Sequence, residues 1–214
     1  MILNPVDTIL TFVLLSVLFS FGSSRLPMLI MVVAFQGIVV SIVPFFLGHN
    51  MTIGGMTFTL GTLLIRGIII PMSIYIAIKK VAIHREVEPI IGYHASLLCG
   101  LGLIVAATYL SRQLNLPSIS HYTLLFPTAI ALLVTGMFLL MARRNAIAMV
   151  LGYIMMENGI YLVGTTFSVR ALHIVEFGIL LDVLAGVMIM AIILQNIKRT
   201  FDDVDTALLR TLKE

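Results

Sequence analysis

The sequence predicts an all-α integral membrane protein, a bundle of seven transmembrane helices with its amino terminus outside and its carboxyl terminus in the cytoplasm. Three observations carry that prediction. Of 214 residues, 60% are hydrophobic and only 11% are charged, whereas a soluble domain is near half apolar and about a quarter charged. The mean hydropathy is +1.12. The apolar residues fall in blocks of about twenty, the length that crosses a hydrocarbon core of about 30 Å.

The first block, residues 7–22, resembles a signal-peptide core, but no Lys or Arg precedes it and no clean small-residue cleavage site follows, so it is expected to be retained. Asn4-Pro5-Val6-Asp7 reads as its start: Asn4 as the cap, Pro5 at the first helical position and Asp7 near the positive end of the dipole. The turn Gly22-Ser23-Ser24-Arg25 leads into the second span, 26–47. Gly48-His49-Asn50 and Gly54-Gly55 separate it from the third, 56–78. There Pro71 removes a backbone hydrogen bond close to Arg66 and predicts a kink, as Pro44 and Pro127 do in their own spans. The fourth span is 89–110, and Asn115-Leu116-Pro117-Ser118 precedes the fifth, 122–142; the sixth and seventh are 145–164 and 171–197. After Arg199, Thr200-Phe201-Asp202-Asp203 reads as a helix start, and Val204, Leu208, Leu209 and Leu212 recur at helical spacing, so a short amphipathic helix is expected, lying by default on the membrane surface, with docking on a cytoplasmic partner as the alternative.

Seven alternating spans place Arg25, Lys79, Lys80, Arg85, Arg143, Arg144, Lys198, Arg199, Arg210 and Lys213 on one side and only Arg112 and Arg170 on the other. Basic residues gather in cytoplasmic loops, which gives the stated orientation. The formal charge of +3 is therefore read as topology, with no nucleic-acid partner. One cysteine, Cys99, leaves disulfide scaffolds, iron–sulfur clusters and structural zinc without their ligands, and no cofactor or metal is expected. Neither a Gly-rich phosphate loop nor a Ser/His/Asp or Cys/His arrangement is present.

The remaining basic residue, Arg66, lies within a span, as do Glu157 and Asp182. A charge at the bilayer centre costs at least about 2.5 kcal/mol and needs a partner or water. At a rise of about 1.5 Å per residue the three depths agree within roughly 6 Å, so all three fit one layer of the bundle. Arg66 holding one carboxylate simply to join helices is the plainer account. A relay of protons, with sodium ions as the alternative, is the functional one: burial and a movable cation act in opposite senses on a carboxylate's proton affinity, and two acids with one base suit that use. His173 and Glu176, three apart at the outer start of the seventh span, could extend a proton path outward, although both are shallow enough to meet headgroup water. His94 stands similarly at the other surface. Met149, Met155, Met156, Met188 and Met190 read as apolar filler.

Arg143-Arg144-Asn145, the glycine seven residues later at Gly152, and Met155-Met156-Glu157-Asn158-Gly159 resemble the K subunit of respiratory complex I and the C subunit of Mrp antiporters. Ala191-Ile192-Ile193-Leu194-Gln195 before Lys198-Arg199 resembles the end of that family's last helix. Those subunits have three helices. In length, in seven spans and in carrying the K-like region at its end, the whole chain resembles the hydrogenase-4 component E family of energy-converting hydrogenase and formate hydrogenlyase complexes. The resemblance implies three segments: five helices over residues 1–142, a K-like region over residues 143–199 and a tail over residues 200–214. It also implies a bacterial or archaeal cytoplasmic membrane, antiporter-like and other membrane-arm subunits as partners beside the lipid bilayer, and metal chemistry in separate hydrophilic subunits. Against the K family's pattern, its buried glutamates fall at Ile154 and Ala185, with Glu157 three residues after the first and Asp182 three before the second. Because the two helices run oppositely, both acids move outward by about 4.5 Å on nearly the same face. A stand-alone transporter would call for a repeated, discontinuous pair of halves, which is not evident. A purely structural scaffold would leave three costly charges with only a packing role.

Overall fold

In membranes every backbone polar group must be satisfied within the chain, which makes helices the only open-ended solution. The computed structural model describes residues 4–23, 25–47, 53–80, 92–114, 122–143, 145–167, 186, 188 and 189. Its elements are α1 (Pro5–Gly22), α2 (Leu26–Phe46), α3 (Ile53–Leu64), a π-helical turn (Ile65–Ile69), α4 (Ile70–Lys80), α5 (Tyr93–Gln113), α6 (Leu125–Ala142) and α7 (Ala146–Phe167), with no strand among the described residues. Because α3, the π turn and α4 are continuous, the described residues contain six helices long and apolar enough to cross a membrane. Of the expected seventh span only Gly186, Met188 and Ile189 are described; all are helical, and Ile189 is buried in one cluster with Ile74, Ile147 and Ile154. Most of that span and the whole 200–214 tail lie outside the described residues.

The helix ends refine several expectations. Gly54-Gly55, read as linker, lie inside α3, since glycine is tolerated in a helix whose backbone has no water to turn to. Pro127 stands in the first turn of α6, where its missing N–H has no helical partner to lose. Pro44 lies in the last turn of α2, which continues to Phe46. Asn4 occupies the cap position of α1 without a side-chain capping bond; its carbonyl accepts from the Thr8 N–H at 3.1 Å.

Asp7 does more than sit in its own first turn. Its carboxylate accepts from the Leu124 N–H at 3.1 Å and the Thr123 hydroxyl at 3.1 Å, so it caps the start of α6 from α1. At the opposite end, Arg143 is buried and its guanidinium donates to the carbonyls of Ser20 and Phe21 at 3.4 and 3.3 Å. A residue read as a loop charge is a cap on the end of α1.

Among the described elements, the most extensively packed pair is α6 with α7. A Cβ on Gly152 would stand 2.9 Å from the Leu140 nitrogen, and one on Gly159 2.5 Å from the Leu133 nitrogen; the small residues let the two backbones touch. One face of α7, carrying Ile147, Val150 and Ile154, packs against Ile70 and Ile74 of α4. Another, carrying Met155 and Leu162, packs with Val13 and Val17 of α1, Val39 and Val40 of α2, and Leu132 of α6. Thus α7 is the centre of the described bundle, with 72% of its span buried against 17% for α5.

Candidate functional site

The third span changes its winding at Arg66. Ile70 N–H donates to the Ile65 carbonyl, five residues back, and Pro71 has no N–H with which to restore the α-helical pattern. Such π turns concentrate at functional sites. Two glycines seat this turn against α2: a Cβ on Gly37 would lie 2.8 Å from the Arg66 carbonyl oxygen, and one on Gly67 would lie 2.6 Å from Ile38 Cγ1.

From the turn, Arg66 reaches α7. Its Nη2 donates to Glu157 Oε1 at 2.7 Å, and both side chains are almost wholly buried, 2% and 1% exposed. Its Nη1 donates to Asn158 Oδ1 at 3.2 Å, and Cζ stands 4.6 Å from the centre of the Tyr161 ring. The guanidinium therefore spends one donor on a carboxylate, one on an amide and a face on an aromatic ring, contacts that suit its planar, delocalised charge. Glu157 and Tyr161 are one turn apart on α7, so a single helix supplies all three partners.

Such a site holds a charge pair away from bulk solvent. Withdrawal of the guanidinium alters the carboxylate's hold on a proton, because burial and a neighbouring cation act on it in opposite senses. Of the residues expected to form the relay, the structure brings Arg66 and Glu157 together. Asp182, His173 and Glu176 lie outside the described residues, and His94 is exposed near the start of α5. Asn158 and Tyr161 were not anticipated as site residues. Their signal was available in spacing, one and four residues from Glu157.

The fold and this site define the class: a multi-pass helical membrane protein with a buried, hydrogen-bonded ion pair between its third and sixth spans. Residues 124–214, from the start of α6 onward, match the family model of NADH-ubiquinone/plastoquinone oxidoreductase chain 4L. Hydrogenase-4 component E of Escherichia coli (strain K12) is 23% identical over 146 residues, 68% of each chain, and the same figures hold for hydrogenase-4 component E of Shigella flexneri. An uncharacterized protein of Mycobacterium tuberculosis is 28% identical over 158 residues, 72% of this chain and 71% of its own. The chain is thus similar to hydrogenase-4 component E, and its C-terminal region to chain 4L, as the motifs around Glu157 indicate. No solved structure matches the chain.

Proposed function

We propose that the chain is a membrane subunit of a respiratory-type complex of the energy-converting hydrogenase or formate hydrogenlyase kind, and that Glu157 takes up and releases a proton under the control of Arg66. Asp182 is the second acid of the relay, and His173 with Glu176 carries the proton toward the outer surface. Electron transfer and metal chemistry belong to partner subunits, and antiporter-like subunits are the membrane neighbours. The chain crosses a cytoplasmic membrane seven times with its amino terminus outside.

The observation that carries this reading is the Arg66–Glu157 pair, 2.7 Å apart and shielded from solvent, at an irregular turn of a membrane-spanning helix. The pair sits at a π turn, a feature frequent at functional sites, which supports a use beyond joining helices. The similarity to hydrogenase-4 component E supports the choice of complex.

A second reading is a fixed lock, favoured by the three groups that hold Arg66 at once. Proton translocation per electron in the assembled complex separates the two. Glu157→Gln keeps size and hydrogen bonding and removes the titration, so it should leave subunit composition intact while translocation falls by about tenfold. Wild-type translocation in both Glu157→Gln and Asp182→Asn would leave only the lock.

A further inference from the structure

A buried amide stands next in sequence to the glycine that seats the Arg66 turn on α2. Gln36 of α2 is completely buried, and its Nε2 donates to Ser16 Oγ of α1 at 2.9 Å. The Ser16 hydroxyl spends its one hydrogen on the Val13 carbonyl at 2.6 Å. It can therefore only accept from Gln36, which fixes the amide with Nε2 toward α1 and Oε1 away from it. Gln36 Oε1 has no hydrogen-bond partner among the described residues.

Asn158 poses the complementary problem. It is also fully buried, its Oδ1 is turned to Arg66 by the guanidinium charge, and its Nδ2 has no partner among the described residues. One fully buried acceptor and one fully buried donor are thus left over. Both belong to faces of one cluster. Gln36 precedes Val39 and Val40 by three and four residues, and Asn158 lies three and four residues from Met155 and Leu162; all four apolar residues pack together with Val13 and Val17. Ser20, one turn from Ser16, reaches Met155 Sδ at 3.9 Å. Gly37, the neighbour of Gln36, touches the Arg66 backbone.

We propose that Gln36 Oε1 and Asn158 Nδ2 together bind a water molecule, and that this water is the group through which Glu157 exchanges its proton. Buried waters sit where otherwise unsatisfied polar atoms converge and make about three hydrogen bonds. This one accepts from Asn158, donates to Gln36 and keeps its second proton for the carboxylate beside Asn158. Gln36 and Ser16 are then positioning residues that act through the water. Like Arg66 they precede residues 124–214, so the N-terminal spans supply half of the machinery around an acid that the C-terminal region carries.

The inference rests on Glu157 being a titrating group, and the test reads both. In pH-difference infrared spectra of the full chain in lipid nanodiscs, the carboxyl band lost in Glu157→Gln belongs to Glu157, and transfer into D2O follows its exchange. Gln36→Leu should slow that exchange by about tenfold or more. Ser16→Ala, which leaves Gln36 in place but lets its amide turn, should slow it by about threefold and decides the matter if Gln36→Leu does not fold. A Glu157 band that exchanges at the wild-type rate in the variants overturns the water site alone. Absence of any such band in the wild type overturns the role of Glu157 and this inference with it.

Discussion

A guanidinium withdrawn from solvent is stable only in company, and Arg66 keeps three companions on one helix. Arg66→Met removes the cation and leaves the acid, and breaking a buried pair from one side costs about 3–5 kcal/mol. Arg66→Met with Glu157→Gln removes both charges and should be more stable than Arg66→Met alone. Thermal unfolding of the four proteins in detergent forms a double-mutant cycle, expected to give a coupling above about 1 kcal/mol; effects that add within about 0.5 kcal/mol would show the two residues to be independent. The charged half of this site was legible in the sequence, because a charge inside an apolar block is conspicuous and helix rise fixes its depth. The neutral half was not. Gln36 is one polar residue in Val32-Val33-Ala34-Phe35-Gln36-Gly37, and Asn158 was visible as one member of a motif but not as a ligand, since neither amide has a charge to demand a partner. Arg143 misled in the opposite sense: its sequence position at a span end fits a loop charge, and only the fold shows the carbonyls it caps.

At the scale of the element, hydropathy located the six described spans because apolar length is a property of sequence alone. It did not give the winding of Ile65–Ile69. Pro71 predicted that a hydrogen bond would be lost there but not how the backbone would absorb the loss. The close seat of that turn on α2 is the feature most exposed to mutation. At Gly37 a side chain would meet the Arg66 backbone, which has no flexible end to yield. Gly37→Leu should therefore cost about 1–3 kcal/mol by overpacking and should depress proton translocation by displacing Arg66. Gly61→Ala in the same span as Arg66 is the control. Nothing lies within 4 Å of a Cβ there, so it should be neutral or stabilising by up to about 1 kcal/mol, as for alanine over glycine in a helix. Equal losses from the two substitutions, read by unfolding temperature, would show that the close approach at Gly37 is not what matters.

For the whole molecule, burial and orientation are separate questions. The central place of α7 follows from small residues at its contact with α6, which the sequence displays only as scattered glycines. The proposed orientation rests on ten basic residues in the loops and span ends of one side against two on the other, with Arg143 counted among the ten despite its buried place at the end of α1. A reporter active only in the cytoplasm should stay silent when fused between residues 112 and 120. A strong signal from that position would reverse the proposed orientation.

The ion pair also has a history within each round of synthesis. Arg66 and Glu157 are 91 residues apart, so the ribosome delivers the cation to the translocon long before its counter-ion exists. A nascent third span carries an arginine worth about 2.5–3.5 kcal/mol against insertion, and Glu157 and Asn158, to which it hydrogen-bonds, arrive with α7. Membrane entry of that span should accordingly be incomplete in a chain stopped after residue 142 and restored in one stopped after residue 167, as glycosylation mapping in microsomes would show. Equal insertion of the two truncated chains would mean that some earlier helix shelters Arg66 first. If the expected difference is found, the late helix acts as an intramolecular chaperone for an early one, and the ion pair that joins the third and sixth spans also sets the order of their assembly.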